Sequence, residues 1–219
     1  MRGRSFMVGE VAVEHLVLGP IQTNVYLVTC GDELMVVDPG DGCAEILDAL
    51  NGRAVKAIVL THCHFDHMGA AAELKRATGA PVVVSAVDAP FVEDPSLGES
   101  RTLPASEPCE VDQRLEDGDT FTLGSVTWQV MLTPGHTPGS MCLYASNEQT
   151  KGIGGVLISG DTLFHGACGR TDFKGGSMTD MIQSLSRLAQ LPDATLVLPG
   201  HNSFTEIGLE QRGIFQQLL

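Results

Sequence analysis

The stretch at residues 59–70, "VLTHCHFDHMGA", places His62, His64, Asp66 and His67 within six consecutive positions. Side chains of an extended chain alternate sides, so His62, His64 and Asp66 project the same way from the end of the apolar run "VKAIVL" (55–60). His67 cannot join them without a turn. The segment "GAAAELKRATG" (69–79) has helical composition and a terminal glycine. It supplies that turn, letting the neighbours Asp66 and His67 address a different point from the His62 and His64 pair. The spacing predicts two adjacent metal positions. A surface loop that merely happens to be rich in histidine is the plain alternative. Three of the chain's seven histidines, with a carboxylate at ligand spacing after a strand, weigh against it.

Such positions need further ligands, which should lie at the ends of other strands if the sheets converge on one edge. "MLTPGHTPGS" (131–140) sets His136 in a Pro-Gly-bounded turn after an apolar run; "VLISGDTLF" (156–164) does the same for Asp161, and "LVLPGHNS" (196–203) for His201. Any one alone would be an ordinary turn residue. Three in the same context, beside the cluster, are not.

The remaining pattern supplies those strands. Residues 10–19, 23–30 and 33–38 read as an antiparallel meander, followed by a short helix at 43–52 and a further strand at 81–85. Residues 93–117 are acidic, contain three prolines and show no clear period, so they read as a long surface connection. A second batch of strands follows at 118–124, 125–133, 140–146 and 154–159. A helix at 177–191 is capped by Ser177 and carries Met178, Met181, Ile182, Leu185 and Leu188 at helical spacing. Residues 194–201 form a last strand and 205–219 a closing helix. Two batches of strands, each with helices, predict an α/β architecture: two sheets packed face to face between helical layers.

The chain has 219 residues, read as a single domain over 1–219, and a formal charge of −14. That charge argues against nucleic acid or an anionic membrane as partner and leaves a small-molecule substrate. No segment approaches the ~20 apolar residues of a membrane span. The N-terminal apolar stretch is broken by Glu10 and Glu14, unlike a secretory signal. The six cysteines are scattered without a CxxC pair, which predicts free thiols and a cytoplasmic location. The oligomeric state is not legible.

"THCHFDH", "TPGHTPGS", "GDTLF" and "LPGHN", in this order, resemble the metal-binding motifs of the metallo-β-lactamase fold superfamily. Within it, "LGPIQTNVYLV", "VVDPG" and "GDTLF…GRTDF" resemble the short glyoxalase II-like hydrolases, over about residues 16 to 205. The resemblance implies the αββα four-layer sandwich of that family. It implies one ion on His62, His64 and His136, a second on Asp66, His67 and His201, and Asp161 bridging them. Asp38, which ends "MVVD", matches the family's buried aspartate that orients the histidine loop. Imidazole and carboxylate suit two divalent ions, zinc first, with iron or manganese also accommodated. A hydroxide bridging two such ions would attack a carbonyl, with Asp161 and Asp66 assisting. For a thioester the leaving thiolate needs little acid assistance.

Other residues carry less. Alternation points Cys63 away from the ions, as a packed thiol. His165 lies near the expected site mouth, where it either touches substrate or is an ordinary loop residue; His15 is a strand residue. Arg170 in "GRTDF" either binds a substrate carboxylate or pairs with Asp172. In glyoxalase II the corresponding segment carries a basic residue and an aromatic; here Asp172 stands where the aromatic would be. Glyoxalase II also has a helical extension that adds glutathione contacts, whereas only a short segment follows His201, so the expectation is thioester hydrolysis without strong glutathione selectivity.

The leading expectation is a binuclear hydrolase of thioesters such as S-lactoylglutathione. The alternatives are a mononuclear-iron persulfide dioxygenase and a lactone or phosphodiester hydrolase. Penicillin hydrolysis fits the motifs less well.

Overall fold

The computed structural model describes residues 4–98 and 106–218. Strands β1 (Arg4–Val8), β2 (Val11–Leu18), β3 (Thr23–Cys30) and β4 (Glu33–Val37) form an antiparallel meander. Helix α1 (Cys43–Leu50), β5 (Ala57–Val59), α2 (Phe65–Met68), α3 (Ala71–Thr78), β6 (Val82–Ser85) and α4 (Ala89–Glu93) follow, and β7 (Gln113–Leu115) closes a seven-stranded sheet in sequential order. The second sheet begins with β8 (Thr120–Leu123), β9 (Val126–Leu132) and β10 (Met141–Ala145). Helix α5 (Asn147–Thr150), β11 (Val156–Gly160), a hairpin of β12 (Leu163–Phe164) and β13 (Ala167–Cys168), and helix α6 (Met178–Leu188) come next. Strands β14 (Leu196–Pro199) and β15 (Thr205–Glu206) and helices α7 (Ile207–Glu210) and α8 (Ile214–Leu218) end the chain. The second sheet runs β15-β14-β11-β10-β9-β8.

Alternation along the strands builds the layers. In β3, Tyr26 and Val28 face the second sheet, joining Trp128, Val130, Leu143 and Ile158 in the central core. Their neighbours Val25 and Leu27 face outward against Ile46 and Leu50 of α1 and Leu74 of α3. The strand is therefore buried on both faces, with an apolar stretch from Val25 to Val28. On the far side of the second sheet, Met131, Leu157 and Val197 pack against Met181, Leu185 and Leu188 of α6 and Phe215 of α8. Helix, sheet, sheet, helix is the four-layer order expected. Ser177 caps α6 by accepting the Asp180 amide, while Met178, expected on the apolar face, is 46% exposed.

Three expectations need correction. Strand β1 lies where no strand was expected; its register with β2 runs Arg4 to His15 through Val8 to Val11. Of residues 93–117, 99–105 lie outside the described residues, and the rest are not simply a surface connection: Cys109, Val111 and Leu115 are buried and β7 pairs in parallel with β6. An edge strand with one buried residue in three leaves no readable alternation. The closing helix is two short ones after a β15 strand that pairs with β14, with the chain turning through Gly213.

One edge of the sandwich gathers the chemistry. Strand β4 runs parallel to β5, and β11 to β14, so their carboxyl ends lie on the same side. Ligand sites in open parallel sheets form at such ends. The sheets are also tied together there: the Met141 amide donates to Thr61 O (2.9 Å) and the Asn24 amide to Gly200 O (2.8 Å). No helix among the described residues is long and apolar enough to cross a membrane.

Candidate metal centre

Four segments deliver the expected residues to this edge: the turn after β5 with α2, the β9–β10 loop, the turn after β11, and the turn after β14. Helix α2 begins at Phe65, so Asp66 and His67 both lie inside its single turn rather than before it. That turn brings Asp66 and His67 together with His201, while the His67 ring stays 4.1 Å from that of His62, centroid to centroid.

The side chains gather into three overlapping groups whose ligand atoms lie within 4.8 Å of one another: His62, His64 and His136; His62, His67 and Asp161; and Asp66, His67 and His201. His64 Nδ1 lies 2.8 Å from His136 Nε2, and His67 Nε2 lies 3.2 Å from His201 Nε2. Asp161 reaches both ends, with Oδ1 3.4 Å from His67 Nε2 and Oδ2 3.4 Å from His136 Nε2. Asp66 Oδ2 is 3.2 Å from His201 Nε2. Four ligands placed tetrahedrally about 2.05 Å from one ion stand about 3.3 Å apart, close to most of these separations. His62 Nε2 and Asp161 Oδ1 are buried with no hydrogen-bond partner, as polar atoms aimed at an ion would be. The residues present fit divalent ions.

Surrounding groups fix which nitrogen faces inward. His136 donates from Nδ1 to Arg170 O (2.7 Å), leaving Nε2 for the centre. His67 donates from Nδ1 to Asp38 Oδ2 (2.9 Å) and likewise presents Nε2. Asp38 also accepts the Thr61 amide and the Thr61 hydroxyl, both at 2.7 Å. Its backbone sits at φ 52°, a strained conformation for a non-glycine residue, held by these bonds.

Electrostatics divide the centre. Burial, reinforced by the neighbouring imidazoles, holds His62 well below the usual histidine range and His64 down at about 3. Burial alone would also lower His67, but Asp161, Asp38 and Asp66 together outweigh it and raise His67 to about 10. For His201 too, burial lowers, and Asp66 and Asp161 win, raising it. Burial pushes Asp66 up, yet the His201 hydrogen bond and the His67 charge leave it lowered.

The other expected residues lie off the cluster. Cys63 belongs to no ligand group and packs beside the outer core. His165 is 3.1 Å from Thr205 Oγ1 and 3.4 Å from Glu210 Oε1, in none of the three groups. Arg170 donates through two bonds of 2.7 Å to Asp172 and stacks 3.9 Å over the Phe173 ring. The Phe173 ring in turn stands nearly perpendicular to that of His64, 5.4 Å between centroids, so the aromatic of this segment is Phe173, one position beyond Asp172.

Two residues went unassigned in the sequence. Asn24 donates from Nδ2 to Pro199 O (2.9 Å) and Asn202 O (3.0 Å), and the Tyr26 hydroxyl donates to Pro199 O (2.6 Å). They clasp the turn that carries His201. The signal was present in "QTNVYLV", where a polar residue and a tyrosine interrupt a buried strand. Gly200 is required by close approach: a Cβ there would stand 2.2 Å from Asp161 Oδ1 and 2.6 Å from His67 Cε1.

A family model described as metallo-beta-lactamase superfamily matches residues 18–201. The chain belongs to the metallo-β-lactamase superfamily. A Bacillus subtilis protein named "Probable metallo-hydrolase YqgX" is 34% identical over 89% of this chain and 92% of its own. A hydroxyacylglutathione hydrolase of Ectopseudomonas mendocina is 38% identical over 76% of this chain, which spans only 55% of that relative. Among solved structures, BLEG-1, titled a B3 metallo-beta-lactamase, superposes with a TM-score of 0.82 at 34% identity, covering 91% of this chain and 96% of its own. TTHA1623, titled as di-iron-bound, superposes with a TM-score of 0.79 at 38% identity over 91% and 97%. This member of the superfamily is a metal-dependent hydrolase with a His/Asp cluster suited to divalent ions.

Proposed function

We propose that the chain holds two divalent ions, zinc first, and hydrolyses small thioesters, with S-lactoylglutathione the first substrate to test. The observation that carries the reading is Asp161, whose carboxylate approaches both histidine sets, with Oδ1 near His67 and Oδ2 near His136 and His201. In this reading His62, His64 and His136 hold one ion, Asp66, His67 and His201 the other, and Asp161 joins both. When bound, the ions lower the pKa of water so that hydroxide is available near neutral pH, and they polarise the substrate carbonyl.

The chain's own residues do the positioning. Asp38 keeps His67 Nε2 inward, the Arg170 carbonyl does the same for His136, and Asn24 and Tyr26 fix the His201 turn. Among the described residues, a cavity of about 220 Å³ lined by Pro20, Ile21, Asp41, Phe65 and Asp66 opens beside the Asp66 set and offers room for a small acyl group. The complete Asp66, His67 and His201 set favours two ions over the single iron of a dioxygenase. The name of the hydroxyacylglutathione hydrolase relative supports a thioester. The BLEG-1 title supports a second reading, β-lactam amide hydrolysis by the same residues.

The test is thiol release from S-lactoylglutathione by protein carrying two ions per chain, with a chromogenic cephalosporin assayed in parallel. Asp161→Ala should abolish turnover and leave the circular dichroism spectrum unchanged. Full turnover by that variant would overturn the mechanism. Cephalosporin cleavage without thioester cleavage would replace the thioester reading with the second.

A further inference from the structure

Asp88, at the head of α4, is fully buried, and among the described residues its carboxylate forms no ion pair. A buried carboxylate is costly unless its oxygens are hydrogen-bonded. Here three donors meet them. Oδ2 accepts the Cys63 amide (3.0 Å) and the Thr137 hydroxyl (2.7 Å), and Oδ1 accepts the Gly139 amide (2.8 Å). The Asp88 amide itself donates to Ser85 Oγ (3.1 Å), which anchors the residue to the end of β6.

These partners account for the sequence "HTPGS" (136–140), of which the metal centre uses only His136. Thr137 supplies a hydroxyl to Asp88, and its amide donates to Ser140 Oγ (3.0 Å), holding the turn closed. Gly139 admits no side chain: a Cβ there would stand 2.4 Å from Asp88 Oδ1 and 2.5 Å from Ser85 Oγ. The turn is shaped around the carboxylate.

The donors are also adjacent to imidazoles. Cys63 lies between His62 and His64 on the first sheet's loop, and Thr137 follows His136 on the second sheet's loop. We propose that Asp88 is a positioning residue for the His62, His64 and His136 ion: one carboxylate locks two loops from different sheets so that three imidazoles meet at a point. The proposal rests on the assignment of those three histidines to one ion. Asp38 differs in reaching both sets: it bonds His67 directly and, through the Thr61 hydroxyl 3.1 Å from His62 Nδ1, also supports His62.

The test titrates metal-free protein with Co²⁺, following its d–d absorption, in wild type, Asp88→Asn and His136→Ala. The asparagine keeps the shape but turns one acceptor into a donor facing an N–H or O–H. Loss of a supporting hydrogen bond at a metal site typically weakens binding about 10–100-fold. Asp88→Asn is therefore expected to bind one Co²⁺ as wild type does and the other at least about tenfold more weakly, with the spectral change following that lost in His136→Ala. Thr137→Val should shift the same ion less, and Thr137→Ser should restore wild-type affinity. These two variants decide the matter if Asp88→Asn does not fold. Equal weakening of both ions, or wild-type binding of both, in Asp88→Asn or in Thr137→Val would overturn the brace. Two tightly bound ions in His136→Ala would instead overturn the ligand assignment, and the brace with it.

Discussion

Replacing Asn24 with alanine should destabilise the chain well beyond an ordinary surface change. The side chain is 1% exposed and its Nδ2 donates to both carbonyls that flank the Gly200-His201 turn, while Oδ1 lies 2.8 Å from His15 Nε2. In Asn24→Ala, Pro199 O keeps the Tyr26 hydroxyl, but Asn202 O and His15 each lose this partner. A buried hydrogen bond contributes about 0.5–1.5 kcal/mol net, and a stranded partner adds to the cost, giving about 2–3 kcal/mol in total. For a chain of this size each kcal/mol moves Tm by about 2–4 °C, so the midpoint should fall by roughly 5–10 °C. Tyr26→Phe removes one donor from an acceptor that Asn24 still serves, for about 1 kcal/mol and a shift of about 2–4 °C. Calorimetry on metal-free protein measures both. An Asn24→Ala midpoint within roughly 2 °C of wild type, or no lower than that of Tyr26→Phe, would refute the clasp.

Gly200→Ala should cut the metal content from two ions to one per chain with secondary structure unchanged, because its Cβ enters the space of Asp161 and His67; elemental analysis beside circular dichroism reads this, and two retained ions would count against it. Metal binding should also depend on pH. His67 is raised to about 10 and therefore holds a proton in the metal-free chain at pH 7–9, which an ion at the Asp66 set must displace. Its apparent affinity should rise about tenfold per pH unit across that range. The His62 and His64 pair, held low, is already neutral there and adds no such dependence. Chelator-competition titrations at three pH values test this, and a flat profile would sink it.

The candidate ligands were legible because they carry local signals. Histidines two residues apart after an apolar run, and single polar residues in glycine turns after strands, announce themselves without knowledge of the fold. Their supports did not. Asn24 and Pro199 lie 175 residues apart, and Asp88 and Thr137 lie 49 apart, so no periodicity relates them. Asp88 reads as an ordinary polar residue after a strand, and only its burial and its three donors reveal it. The sheet edges were hidden for another reason. Strand β7 buries one residue and β1 none completely, too few to write an apolar alternation.

Local chemistry alone determined the interior strands, α6 with its Ser177 cap, and the inventory of histidines and aspartates at strand ends, because alternation, helical period and turn residues act over a few positions. Tertiary structure decided which loops meet, which nitrogen of each imidazole faces inward, and that Arg170 lies against Asp172 and Phe173. It also decided the opposite proton affinities of His64 and His67, both within one short segment. His67 faces Asp38 and Asp161 while His64 faces His136, and those neighbours come from elements far apart in sequence that only the packing of the two sheets brings within a few ångströms.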